Sequence, residues 1–153
     1  MLITATERIA RWSRVLRASR IYETAPMYRE DQPNFLNAAI LVETLAGPWP
    51  LLRKLKQVED ELGRLPRDRN APREIDLDLI AYGSLQYRFR VNGQIVVEIP
   101  HPRIPERNFV LRPLADIDPD WELPPFGRVA DLLAATKATG GNVVEWTDAE
   151  LPV

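Results

Sequence analysis

The segment Glu74–Tyr82 reads EIDLDLIAY, and its first half alternates between apolar and acidic residues. Strict alternation predicts a β-strand, because successive side chains of a strand point to opposite faces. Asp76 and Asp78 would then share one face, while the aliphatic residues beside them pack against a core. Two ionised carboxylates this close repel each other, so the pair needs a positive charge nearby.

A hard divalent cation would supply that charge, with water and phosphate oxygens as its remaining ligands, and magnesium favours such oxygen ligands. The alternative is that Asp76 and Asp78 lie on the solvated face of an edge strand. The D-x-D spacing alone favours that alternative.

The preceding segment shifts the balance toward a metal site. Residues 64–73 are predicted to form a loop that contains four arginines. They are Arg64, Arg67, Arg69 and Arg73. Guanidinium groups match the oxygens of phosphate, although such a loop by itself is more often a charged surface. A basic loop that leads directly into an acidic pair indicates a site for a polyphosphate and its metal ion. The chain has no Gly-rich phosphate-binding motif, so side chains and other loops would have to hold a nucleotide.

Composition limits the other possibilities. The 153 residues, 45% of them hydrophobic, suit a single domain spanning residues 1–153. A net charge of −2 gives no reason to expect nucleic acid or a membrane as a partner. No cysteine is present, and His101 is the single histidine, which argues against a structural zinc site. The first residues lack a signal-peptide pattern, so a cytoplasmic protein is expected.

Helical and extended patterns alternate along the rest of the chain. The predicted helices are an amphipathic first helix from the N-terminus to near Ser19, a second from Pro48 to Gly63, and two others at Arg107–Ile117 and Val129–Ala138. The predicted strands are Ile21–Thr24, a buried strand Phe35–Thr44, a hairpin over Tyr87–Ile99 that turns at Asn92–Gly93, and an extended segment Asn142–Thr147. This order favours an α/β or α+β sandwich in which helices cover a sheet.

His101 lies in the sequence Pro100-His101-Pro102-Arg103. A lone histidine is usually an ordinary surface or core residue. Prolines on both sides would nevertheless hold it rigidly, and Arg107 follows closely enough to provide a second cationic contact to phosphate.

Five blocks of sequence together resemble the 6-hydroxymethyl-7,8-dihydropterin pyrophosphokinase family. The blocks are DQPNFLNAA at 31–39, Glu59 with Gly63-Arg64, APREIDLDL at 71–79, PHPR at 100–103 and RNFVLRPL at 107–114. The resemblance implies a ferredoxin-like α+β fold, with helices covering a mainly antiparallel sheet. It also implies ATP-dependent transfer of pyrophosphate to the hydroxymethyl group of the pterin.

The resemblance also implies roles for individual residues. The implied catalytic residues are Arg64, Arg73, Asp76 and Asp78, of which the two aspartates would bind two Mg²⁺ ions. The implied ATP contacts are Glu59, Arg73, His101 and Arg107. The implied pterin contacts are Asn37, the backbone of Thr24 and Met27, and the rings of Phe35 and Phe109, which would stack on the pterin. Residues 65–72 would form a lid that closes over ATP.

The N-terminal region departs from the family pattern. Family members usually begin with a strand and a Gly-Ser-Asn-Leu turn, whereas Met1 here already lies in the predicted first helix. In a ferredoxin-like sheet that strand would be central, and its absence would expose the edges of its neighbours. An inactive homologue that still binds pterin or nucleotide is therefore the alternative to an active enzyme.

Overall fold

The computed structural model describes residues 1–24, 35–63, 75–136, 143–146 and 149–153. Its α-helices are α1 (Leu2–Ile9), α2 (Pro48–Gly63), α3 (Asn108–Ile117) and α4 (Val129–Thr136). Its strands are β1 (Arg14–Ala18), β2 (Ile21–Thr24), β3 (Phe35–Asn37), β4 (Ile40–Glu43), β5 (Tyr87–Val91), β6 (Gln94–Ile99), β7 (Glu122–Leu123), β8 (Gly127–Arg128) and β9 (Val143–Trp146). The strand pairs in these residues are antiparallel, so the predicted α+β class is confirmed.

Strands β1 to β4 form two antiparallel pairings in separate sheets. β1 pairs with β4 and β2 pairs with β3, and the two pairings meet at the buried residue Ser19. The backbone N–H of Ser19 donates to the carbonyl of Ala39 at 2.8 Å, and the N–H of Ala39 donates to the Ser19 hydroxyl oxygen at 2.7 Å. The prediction of one buried strand over Phe35–Thr44 is therefore wrong. Residues 38 and 39 lie outside the ladders and separate β3 from β4, and both strands are at least partly exposed.

The predicted first helix is also wrong in length, because α1 ends at Ile9 and β1 follows. Leu16 is at helical spacing from Ile9 and Trp12, but it is 38% exposed on β1. Pairing with β4 brings Val15 opposite Val42, and two β-branched residues suit a sheet. This distant pairing determines the conformation of a segment whose local spacing is helical.

Helix α2 has the predicted bounds and provides one wall of the first hydrophobic core. Leu55 and Val58 pack with Ala5 and Ile9 of α1, and Ile75 completes the buried cluster. The prolines near the start of α2 leave no helical hydrogen bond unmade, because the first N–H groups of a helix have no partner within it.

The segment 75–80 that carries the two aspartates is not part of a strand ladder. The predicted strand is therefore wrong, although the predicted division into buried aliphatic side chains and exposed aspartates is confirmed. Ile75 is buried and Leu77 is partly buried against the first core, while Asp76 and Asp78 are exposed.

The hairpin β5–β6 turns where predicted. Asn92 and Gly93 have φ values of 50° and 80°, the left-handed conformation that a two-residue hairpin turn requires.

The C-terminal part of the described chain forms a second core. Its buried residues are Ile104, Leu111, Leu123, Val129 and Leu133, drawn from α3, α4 and their connections. β9 pairs with β2 on the side opposite β3, so β2 is the central strand of a three-stranded sheet. No helix in the described ranges is long and apolar enough to cross a membrane.

Candidate active site

Asp76 and Asp78 are held beside α2 by two of its side chains. The Nζ of Lys56 donates to the carbonyl oxygen of Leu77 at 2.9 Å and lies 3.7 Å from Oδ1 of Asp76. The carboxylate of Glu59 accepts the N–H of Leu77 and a 3.0 Å hydrogen bond from Lys56. Lys56 thus places one positive charge beside the acidic pair.

A cavity of about 270 Å³ opens next to this segment, between α2 and the hairpin strand β6. Asp78, His101 and Lys56 all line it, together with Leu52, Leu79, Pro102 and residues 95–98 of β6. The predicted metal ligand and the predicted nucleotide contact therefore face the same space. A backbone hydrogen bond from the His101 N–H to the carbonyl of Ile80, at 2.9 Å, joins the two segments.

The surroundings of His101 favour its neutral form. Burial lowers the pKa of His101 below its ordinary value, and Arg107 and Arg103 act in the same direction, whereas Asp78 opposes them. Nδ1 of His101 accepts the N–H of Arg103 at 3.3 Å, which assigns the ring proton to Nε2. In the neutral form, Nε2 is therefore the ring nitrogen of His101 that can donate a hydrogen bond.

Arg107 immediately precedes α3 and connects the predicted nucleotide contacts with the predicted pterin contacts. Its guanidinium carbon lies 5.8 Å from the ring centroid of Phe109, in the range of a cation–π contact. Both side chains are partly buried.

Three predicted pterin contacts share one face of the three-stranded sheet. Thr24 lies opposite Phe35, and Tyr22 lies opposite Asn37, so these four side chains point to the same side. The Nδ2 of Asn37 donates to Oγ1 of Thr24 at 3.0 Å. Phe35 is 49% exposed, which leaves much of its ring accessible to a flat ligand.

Helix α3 packs on this same face through Asp116. The Asp116 carboxylate accepts the Tyr22 hydroxyl at 2.7 Å and the backbone N–H of Arg20 at 3.1 Å. It also accepts a hydrogen bond of 3.1 Å from Arg112, whose guanidinium carbon lies 5.4 Å from the centroid of the Tyr22 ring.

The contacts along α3 indicate its direction relative to the strands. The carbonyl of Ile117, the last residue of α3, accepts a 2.8 Å hydrogen bond from Arg17 of β1, whereas Arg112, more than one turn earlier in α3, lies over the Tyr22 ring of β2. The contacts thus move toward the N-terminus of α3 as they advance along the strands. Phe109 lies in the first turn of α3, nearer the start of the helix than Arg112 and Ile117.

The positions of three predicted site residues lie outside the described residues. These are Arg64, Arg73 and Met27, and the predicted loop 64–73 and lid 65–72 fall in the same ranges. Their roles stay predictions.

Sequence reasoning missed Lys56 and Asp116. Lys56 precedes Glu59 by three residues, so a helix places the two on one face, and this spacing could have identified it. Asp116 follows Arg112 by four residues, and the same helical rule applies. Nothing in the local sequence points to the contact between Asp116 and Tyr22.

Comparison with known proteins identifies the family of this chain. The model of the family described as "7,8-dihydro-6-hydroxymethylpterin-pyrophosphokinase (HPPK)" matches residues 1–119. The chain belongs to the HPPK family. The resemblance inferred from the sequence motifs is thereby confirmed.

Individual relatives agree with this family. A 2-amino-4-hydroxy-6-hydroxymethyldihydropteridine pyrophosphokinase of Aquifex aeolicus is 34% identical over 78% of this chain and 71% of its own length. The protein of the same name from Bacillus subtilis is 43% identical over 67% of this chain and 59% of its own length. A pea protein named "Folate synthesis bifunctional protein, mitochondrial" is 46% identical over 67% of this chain. The chain spans 14–21% of the length of this and four other longer folate-synthesis relatives.

Proposed function

We propose that this HPPK chain transfers the β,γ-pyrophosphoryl group of ATP to 6-hydroxymethyl-7,8-dihydropterin, giving AMP and the pterin diphosphate, in folate biosynthesis. The observation that carries the proposal is that Asp78 and His101, from separate segments, line one cavity beside Lys56. A polyphosphate requires such a combination of cationic groups, neutral donors and metal-binding carboxylates.

Asp76 and Asp78 are the proposed ligands of two Mg²⁺ ions. The fit rests on their chemistry, because both are exposed carboxylates on one side of a segment whose aliphatic residues pack into the core. In the described ranges no group of three or more His, Cys, Asp or Glu could hold a metal. A two-carboxylate site agrees with Mg²⁺ that keeps waters and binds substrate phosphates. When bound, the ions would neutralise phosphate charge and favour ionisation of the attacking hydroxyl.

The protein's own part in the reaction is positioning and charge. The pterin hydroxyl oxygen forms a bond to the β-phosphorus, the bond from that phosphorus to the α–β bridging oxygen breaks, AMP leaves, and the hydroxyl releases its proton. His101 would donate to a phosphate oxygen through Nε2, and Arg107 would contribute a positive charge. Glu59 is also proposed near the nucleotide, and Arg64 and Arg73 are proposed to act from their loop.

The pterin would bind on the face formed by Thr24, Asn37 and Phe35, with Phe109 of α3 on its other side. Asn37 offers both an amide donor and a carbonyl acceptor, as recognition of the pterin edge requires. Two flat aromatic rings would bury the faces of the ligand.

The proposal includes small-molecule partners only, with no nucleic acid and no membrane. It also places the enzyme in the cytoplasm, where ATP and Mg²⁺ are available. Cell fractionation of the tagged protein tests that location.

Release of AMP tests the proposed activity. Incubation with ATP, Mg²⁺ and 6-hydroxymethyl-7,8-dihydropterin should yield AMP and pterin diphosphate in equal amounts, and AMP should not form without the pterin. Binding of the pterin in calorimetry without turnover would instead identify the inactive homologue. Neither binding nor turnover would refute both functions.

A further inference from the structure

Both polar backbone groups of Leu77 are bound by side chains of α2. Lys56 donates to its carbonyl oxygen at 2.9 Å, and the carboxylate of Glu59 accepts its N–H. Leu77 stands between the two aspartates, and no strand ladder includes it in the described part of the chain. Side chains of a helix thus provide the hydrogen bonds that a neighbouring strand would otherwise give.

We propose that Lys56 and Glu59 are positioning residues that fix the orientation of Asp76 and Asp78. The peptide unit that contains the Leu77 N–H also contains the carbonyl carbon of Asp76, and the Leu77 carbonyl belongs to the peptide unit that leads into Asp78. Fixing both units fixes the backbone from which both carboxylates project. The proposal rests on the proposed metal and nucleotide site, and it explains how that site keeps its geometry without a paired strand.

Burial supports a positioning role for Glu59. The residue is 8% exposed, and one of its carboxylate oxygens accepts both from Lys56 and from Leu77. Lys56 Nζ also lies 3.7 Å from Oδ1 of Asp76, and because both side chains are largely exposed this ion pair adds only a weak attraction on the α2 side. Hydrogen-bonded partners of metal ligands commonly affect metal affinity in this way.

The test compares the Mg²⁺ dependence of turnover among variants of α2. Lys56→Met and Glu59→Ala should each raise the Mg²⁺ concentration for half-maximal AMP release by about tenfold, the lower limit for lost partners of metal ligands. The KM for the pterin should stay within about twofold, because its proposed contacts lie on the sheet and α3. Glu59→Gln retains an acceptor for the Leu77 N–H, so its Mg²⁺ dependence should lie closer to wild type than that of Glu59→Ala.

Gln57→Ala is the matched control, since Gln57 lies exposed on the same helix and bonds only to the exposed Glu61 in the described contacts. It should leave the Mg²⁺ dependence unchanged. If Glu59→Ala does not fold, Lys56→Met decides. Mg²⁺ curves of Lys56→Met that coincide with wild type would overturn the proposal.

Hydrogen exchange of the Leu77 amide tests the same geometry independently of turnover. The amide should be protected in wild type and in Glu59→Gln, and should exchange faster in Glu59→Ala while amides of the β5–β6 hairpin are unaffected. An unprotected Leu77 amide in wild type would overturn the proposal. If the Leu77 amide is protected but the wild-type protein releases no AMP, the proposed function is refuted while the proposed backbone arrangement stands.

Discussion

Replacement of Asp116 by alanine should destabilise the protein, because this carboxylate joins α3 to the central strand β2. Asp116 accepts hydrogen bonds from the buried hydroxyl of Tyr22, from the backbone N–H of Arg20 and from Arg112. The Asp116 side chain is 14% exposed and Tyr22 is 3% exposed, so water cannot easily replace the contact between them.

The three hydrogen bonds contribute different amounts to the free energy of unfolding. Loss of the partner of the buried Tyr22 hydroxyl should cost about 2 kcal/mol, since a buried polar group is then left unsatisfied. The Arg112 side chain is 35% exposed, so its ion pair should contribute at most about 1 kcal/mol. Water can solvate the N–H of Arg20 in the variant. We therefore expect a total loss of about 3 kcal/mol, which lowers the unfolding midpoint of a chain of this size by about 6–12 °C.

Urea unfolding of a double-mutant cycle measures the main contribution. Asp116→Ala, Tyr22→Phe and the double variant should give a coupling free energy of about 1–2 kcal/mol between the two side chains. Asp60→Ala, at an exposed position of α2, is the control and should change stability by less than about 0.5 kcal/mol. A coupling energy below about 0.5 kcal/mol would refute the assignment of Asp116 as the anchor of α3.

Three further predictions concern pH and the proposed pterin face. Burial and the hydrogen bond to Asp116 raise the pKa of Tyr22 above its ordinary value near 10. The stability that this contributes is present below pH 10 and should decrease as the pH rises through the folded-state pKa. In thermal melts at alkaline pH, Tyr22→Phe should show a smaller decrease in stability than wild type. Burial lowers the pKa of His101, so as the pH falls the unfolded chain binds the proton first. Stability should therefore be complete above about pH 6.5 and decrease as the pH falls through the folded-state pKa. The stability of His101→Gln should depend less on pH between about pH 6.5 and 5. Thr24→Val removes the acceptor of the Asn37 amide. It should raise the KM for the pterin by about tenfold and leave the KM for ATP unchanged. Equal changes in both constants would contradict the proposed placement of the pterin.

Elements with strong local signals were predictable from the sequence. The helix from Pro48 to Gly63 has a stripe of apolar residues and a proline-rich start, and Asn92–Gly93 supplies the positive φ values of a tight hairpin turn. In both, the determining interactions lie within a few residues of each other. The family motifs likewise grouped Asp78 with His101, which the structure brings to one cavity.

Elements that depend on distant partners were not predictable. Local spacing extended the first helix over Arg14–Ala18, whereas pairing with β4 makes that segment a strand. The alternation around Asp76 was interpreted as a strand, but the backbone of Leu77 bonds to α2 side chains. An alternating pattern reports which side chains are buried, and it contains no information on which groups satisfy the backbone.

The most direct test of the acidic pair as the centre of the site is the rate of AMP release by Asp78→Ala at saturating Mg²⁺. The account predicts a fall of at least about 100-fold, as for loss of a group that stabilises transition-state charge. The circular dichroism spectrum should stay native, since Asp78 is exposed, and Asp60→Ala should retain wild-type activity. Asp78→Ala turnover within about twofold of wild type at saturating Mg²⁺ would contradict the assignment of Asp78 as a metal ligand.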